Sequence, residues 1–295
     1  MDISIFYASF GRDFAIDPSD CIIWAAALGF DAIEISVNDY LLSQGNQYIA
    51  KLRGLAADKG IAITCCGGGL TKDCDISGLN DVCRKAGIER LKRVLGVAKE
   101  LGSDGLDGIN YVPWNLFPRP LDRERRLDQC VKSVKELAKY CEDTGIDYAV
   151  EVANRYEVFL LNTAAEAVDF CCRVDSPRVK IQLDTYHMNI EEDDMCQAIR
   201  LAGDRLYSLH VSENNRKVPV GQGMMPWEDI SGAVKDIGFA GHIELEPFLL
   251  SGGEIMYRSR IWKDNLPFPD HECVDRELYK GMNYIRNIFG IERKS

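Results

Sequence analysis

Short apolar or β-branched runs recur along the chain near residues 2–8, 31–37, 61–66, 105–112, 146–153, 178–184, 205–211 and 241–246. Between them lie longer stretches whose apolar positions return every three to four residues, among them 20–28, 88–101 and 122–141, and a last one follows at 274–288. A period near two marks strands and one near 3.6 marks helices, so the pattern predicts strand then helix about eight times. Glycine follows several of the helical stretches, at Gly29, Gly60, Gly102, Gly145 and Gly238, where it can end the helix and turn the chain into the next strand. No Pro/Gly/Ser-rich linker interrupts the 295 residues. Eight such units close most naturally into one (β/α)8 TIM barrel, taken to span 1–295 as a single domain. The alternative, an open doubly wound sheet, calls for a glycine-rich first turn, but the chain after the first run reads ASFGRDFAID.

Alternation inside four of the later runs predicts which side chains enter the barrel. Val150 and Val152, Ile181 and Leu183, Tyr207 and Leu209, and Ile243 and Leu245 share the large apolar parity and should pack outward against helices. The opposite parity is small or polar: Ala149 then Glu151, Gln182 then Asp184, Ser208 then His210, Glu244 then Glu246. The last inward residue of each run is a metal-ligand type, and barrel sites are built on that C-terminal rim. Glu151, Asp184, His210 and Glu246 should therefore converge. Three desolvated carboxylates facing one another repel unless a positive charge sits among them. A divalent cation supplies it, and three oxygens with one imidazole suit Mn²⁺, Mg²⁺ or Co²⁺ better than a thiolate-rich zinc site.

Composition narrows the partner. With 46 acidic against 35 basic side chains, the net charge of −11 argues against nucleic acid or an anionic membrane and favours a small molecule. The first 25 residues lack a leader pattern and no long apolar span occurs, which implies a soluble protein without a targeting segment. The 11 cysteines show no Cys-x-x-Cys spacing and fit reduced thiols of a cytoplasmic protein.

The stretches VEVANRYEVFLLNT, VKIQLDTYHMNIEED, HVSENNRKVPVGQGMMPWEDI and IELEPF resemble, in order and spacing, the motifs of the ketose 3-epimerases, which include the D-tagatose, D-allulose (psicose) and L-ribulose 3-epimerases of the xylose-isomerase-like barrels. The likeness extends from GLTKDCDIS (69–77) into SGGEIMYRSRIWKD (251–264). It implies a metal-dependent epimerase of free ketoses, with Mn²⁺ or Co²⁺ held by Glu151, Asp184, His210 and Glu246, the same four residues that alternation selects. It further implies that Glu157, His187 and Arg216 contact the sugar, that Glu151 and Glu246 exchange the C3 proton through an enediolate, and that the chain forms a homodimer or homotetramer. Rival readings within this frame are an aldose–ketose isomerase, a sugar-phosphate epimerase and a noncatalytic sugar-binding barrel.

Other positions carry weaker signals. Tyr7, Trp114, Phe248 and Trp262 fall near loop ends where an aromatic ring could stack on a sugar, or simply pack. Glu244 lies one inward position below Glu246 and could pair with Gln182 or Ser208, or compete as a ligand; Glu34 is inward by the same parity and reads as a structural hydrogen-bonding group. Arg155 could brace the carboxylates or form a surface pair, Arg258, Arg260 and Lys263 could meet a phosphate or solvent, and His242 and His271 read as surface histidines. CCGGGL (65–70) lacks the lysine and hydroxyl of a nucleotide loop and reads as a close backbone approach beside the site.

Overall fold

The computed structural model describes residues 1–293. Eight strands form one parallel sheet: β1 (Asp2–Phe6), β2 (Ala32–Ser36), β3 (Ala62–Cys66), β4 (Gly105–Leu106), β5 (Asp147–Glu151), β6 (Val179–Asp184), β7 (Leu206–Val211) and β8 (His242–Leu245). Their spatial order is β3-β2-β1-β8-β7-β6-β5-β4, and a parallel bridge from Cys66 to Asp107 joins the two ends, giving a (β/α)8 barrel. The helices are α1 (Pro18–Leu28), α2 (Asp39–Ser43), α3 (Asn46–Lys59), α4 (Asp81–Leu101), α5 (Arg123–Thr144), α6 (Ala164–Val174), α7 (Thr185–Glu191), α8 (Met195–Ala202), α9 (Trp227–Asp236), α10 (Gly253–Ser259) and α11 (His271–Phe289). Side-chain caps start most of the long ones, as where Asn80 Oδ1 accepts from the Val82 N–H at the head of α4. Gly102, at φ 94°, ends that helix in the left-handed turn that a side chain would strain.

The apolar parity is buried as alternation predicts. Val150, Val152, Ile181, Leu183, Leu209, Ile243 and Leu245 are essentially inaccessible in the layer between sheet and helices. Removing each from water contributes roughly 1.5–3 kcal/mol.

Two expectations are corrected. The run at 105–112 is regular strand only over Gly105–Leu106, because Gly108 takes φ 93° and turns the chain out of extended geometry two residues later. Tyr207 does not pack outward. The β6–β7 register slips between Ile181 and Gln182, and the Tyr207 hydroxyl donates to Asp104 Oδ1 at 2.6 Å, at the entry to β4 three strands away. The ring thus crosses the barrel floor, where it stands against the backbone of Gly105 and 5.8 Å from the His242 ring.

Candidate active site

The C-terminal rim brings the four predicted ligands together. Glu151 and Asp184 are the last residues of β5 and β6, His210 lies on β7 opposite Asp184, and Glu246 directly follows β8. One donor atom from each lies within 4.8 Å of the other three, and all four residues are buried. The sequence fixes Asp184 twice over: it ends a strand and caps the next helix, with Oδ1 accepting from the Tyr186 N–H at 2.8 Å. Its Oδ2 is thereby turned into the cluster, where it has no hydrogen-bond partner although Arg216 Nη1 stands 2.8 Å away, out of line for a bond. A buried carboxylate oxygen left in this state, among two more carboxylates and an imidazole, fits the donor set of a divalent cation.

Charges are sharply arranged around that point. Arg216 is buried, bonds Glu246 and lies near Asp184, while its guanidinium sits over the rings of Tyr186 at 4.2 Å and Phe248 at 5.2 Å. Burial raises the Asp184 carboxyl above its ordinary range despite Arg216. At Glu246 burial is outweighed by Arg216 and His210, which hold its pKa down at about 2. His210 Nδ1 is 3.1 Å from Glu246 Oε2. His187, on the first turn of α7, places Nε2 3.4 Å from Glu151 and 3.5 Å from Asp184.

Above the cluster opens a cavity of about 510 Å³, and Tyr7, Trp114, Glu157, His187, Arg216 and Phe248 all line it. Trp114 Nε1 donates to Glu157 Oε2 at 2.8 Å, and Arg258 lies over the Trp114 ring at 5.1 Å. The Tyr7 hydroxyl is engaged with the Phe14 carbonyl at 2.9 Å, so this residue offers the cavity a ring. Trp262 does not join them; it is exposed and packs on Tyr257. Arg155 forms a bidentate pair with Glu191 rather than bracing the carboxylates. His242 is largely buried beside Asp104 rather than a surface residue. Gly67, Gly68 and Gly69 form one wall, and a Cβ on Gly108 would stand 2.9 Å from the Gly67 nitrogen, the close backbone approach expected of CCGGGL.

Alternation did not single out Asn154, Tyr186 or Asp107. Asn154 precedes no periodic signal, yet its Nδ2 reaches both Glu157 at 3.0 Å and His187 Nδ1 at 2.7 Å. Asp107 lies just past the shortened β4, where a parity argument has no strand to act on. Glu244 pairs with neither Gln182 nor Ser208: it accepts from Thr64 at 2.8 Å, whereas Gln182 bonds the Gly108 N–H and Ser208 bonds Asp107.

Residues 22–268 match the xylose isomerase-like TIM barrel family model. A D-psicose 3-epimerase of Ruminiclostridium cellulolyticum is 35% identical over 100% of both chains, and one from Enterocloster bolteae is 35% identical over 99% of this chain and 97% of its own. The crystal structure of a D-psicose 3-epimerase in the presence of D-fructose superposes with a TM-score of 0.95 at 33% identity, covering 98% of this chain and 100% of the other. That of a Clostridium cellulolyticum D-psicose 3-epimerase with D-tagatose gives 0.94 at 35% identity, covering 98% and 99%. Fold and site thus define a xylose isomerase-like barrel. Within it, the chain belongs to the ketose 3-epimerase family.

Proposed function

We propose that this protein is a metal-dependent 3-epimerase of free ketoses, with D-fructose/D-allulose and D-tagatose/D-sorbose as the pairs to try first. The carrying observation is the convergence of Glu151, Asp184, His210 and Glu246, buried and within 4.8 Å of one another, beneath a sugar-sized cavity. These residues would hold Mn²⁺ or Co²⁺, with Mg²⁺ also compatible with the donors. When bound, such an ion supplies a Lewis acid that polarises the ketose carbonyl and makes the adjacent C3 proton easier to remove.

The protein groups do the remaining work. Glu151 and Glu246 approach from β5 and from the end of β8, three strands apart around the rim, so one can take the C3 proton while the other returns a proton to the opposite face. Arg216 keeps Glu246 ionised. His187 and Glu157 face the cavity as sugar-hydroxyl partners, and Trp114, Tyr7 and Phe248 supply apolar surface and exclude water.

The protein would act in the cytoplasm as one barrel per chain: all 11 cysteines are free thiols, as a reducing compartment requires. The exposed Tyr257, Trp262 and Phe268 would be covered in a homodimer or homotetramer. Incubation with D-fructose and Mn²⁺ in D₂O tests the reading. Deuterium entering C3 with D-allulose appearing supports it; label at C1 or C2, or no exchange with any ketose, overturns it.

A further inference from the structure

Directly beneath the rim cluster lies a second layer of carboxylates that the epimerase reaction does not use. Glu34 on β2, Asp107 just past β4 and Glu244 on β8 are wholly buried, and each offers an oxygen within 4.8 Å of the others and of a ring nitrogen of His210. In Asp107 and Glu244 one oxygen is anchored and the other is turned inward. Ser208 Oγ donates to Asp107 Oδ2 at 2.7 Å and leaves Oδ1 without a hydrogen-bond donor, while Thr64 Oγ1 donates to Glu244 Oε1 at 2.8 Å and Glu244 Oε2 stands 3.3 Å from His210 Nε2. Glu34 brings both oxygens to the same ring nitrogen, Oε1 at 3.3 Å and Oε2 at 3.2 Å from His210 Nε2.

Nothing else in the layer balances these charges. Among the described residues no lysine or arginine pairs with Glu34, Asp107 or Glu244; the ion-pair contacts of Glu34 and Glu244 go to His210 alone, at 3.2 and 3.3 Å. That imidazole nitrogen cannot serve them fully. With Nδ1 facing the rim cluster, Nε2 carries the ring's one N–H, and a single N–H crowded by the Gln182 amide at 2.8 Å cannot satisfy both carboxylates.

We propose that Glu34, Asp107 and Glu244 hold a second divalent cation inside the barrel, below the rim cation and across the His210 ring from it. Three carboxylates and no thiolate select a hard ion, Mn²⁺ or Mg²⁺. Cys66, Gly108 and His210 line the cavity above this layer. The ion fixes positive charge under the imidazole and holds the orientation of its Nδ1 face. The proposal shares His210 with the rim site but not its carboxylates, which lets the two readings fail separately.

The test is the number of Mn²⁺ ions retained per chain after desalting, read by elemental analysis, together with the Mn²⁺ EPR spectrum. The wild-type protein is expected to retain two ions and to show spin-coupled features from a close pair. Asp107→Asn/Glu244→Gln should retain one and show an isolated six-line spectrum, and Asp184→Asn should also lose one while keeping the lower ion. A single ion in the wild type with an isolated spectrum overturns the proposal without any variant and leaves the epimerase reading standing. Two ions that both survive Asp107→Asn/Glu244→Gln overturn it as well. Loss of exchange activity with both ions retained would instead count against the epimerase reading alone.

Discussion

The guanidinium of Arg216 lies 4.2 Å over the ring of Tyr186 while its Nη1 bonds Glu246. The Phe248 ring flanks the same group at 5.2 Å, so a single planar cation is stacked against aromatic rings and aimed edge-on at carboxylates. A lysine retains the charge but has neither the plane to stack nor a second nitrogen like Nη2, which lies 3.4 Å from His187 Nε2. Arg216→Lys is expected to lower kcat/KM for the preferred ketose by at least about tenfold, equivalent to about 1.4 kcal/mol of transition-state stabilisation. A variant with wild-type kcat/KM would show that the stack and the second nitrogen contribute nothing.

In the proposed reaction Glu151 and Glu246 face opposite sides of the bound sugar. Replacing either with glutamine preserves shape and removes the basic oxygen. Glu151→Gln and Glu246→Gln should each reduce epimerisation by about 10²–10⁴. Single-turnover exchange of the C3 proton with solvent, measured from each epimer, checks this. Both variants retaining near-normal exchange would remove these carboxylates from proton transfer.

Most of the rim was readable in the chain because a parallel barrel strand states its inward face in every second residue. Glu151, Asp184 and His210 sit at strand ends where the parity of their runs puts them, and Glu246 one step beyond β8. The same rule failed at Tyr207, since a register slip between strands leaves no trace in the periodicity of either one. It was silent at Asp107, which follows a strand of two residues. Glu34 and Glu244 were legible as inward but not as partners: that Glu244 meets Thr64 from β3 and His210 from β7 depends on closure of the barrel, a long-range fact. Asn154 and Tyr186 sit in a loop and a helix turn, and their contacts to His187 and Arg216 follow from how those segments fold over the mouth.

Asn154 sets the tautomer of His187. The Tyr156 N–H donates to Asn154 Oδ1 at 2.9 Å, which fixes the amide so that its NH₂ faces His187 Nδ1 at 2.7 Å. His187 Nδ1 must then accept, which puts the ring proton on Nε2, 3.4 Å from Glu151 Oε1 and beside Arg216 Nη2 at 3.4 Å. Asn154→Asp replaces the donor with an acceptor and demands a proton on Nδ1. It is expected to favour the imidazolium or the opposite tautomer, visible in the ¹⁵N shifts of the His187 ring, and to lower kcat about 10–10²-fold with a smaller change in KM. Unchanged ring shifts would leave Asn154 with only a packing role.

On the barrel floor, far from the mouth, Gly105 and Tyr207 offer a test of the slipped register. A Cβ built on Gly105 would stand 2.6 Å from Tyr207 Cζ and 2.7 Å from its Cε2. Those are ring atoms, held in place by the hydroxyl bond to Asp104 and by the His242 ring, so neither partner can yield cheaply. Gly105→Ala should therefore destabilise the protein by about 1–3 kcal/mol through overpacking. Tyr207→Phe keeps the clashing ring and should not relieve that cost, whereas Tyr207→Leu removes it. In a double-mutant cycle by urea unfolding, Gly105→Ala should cost less in the Tyr207→Leu background, with a coupling of about 0.5–3 kcal/mol. If the two substitutions add independently, the tyrosine ring does not lie across the floor, and its side chain must leave the barrel as the simple alternation of β7 would have it.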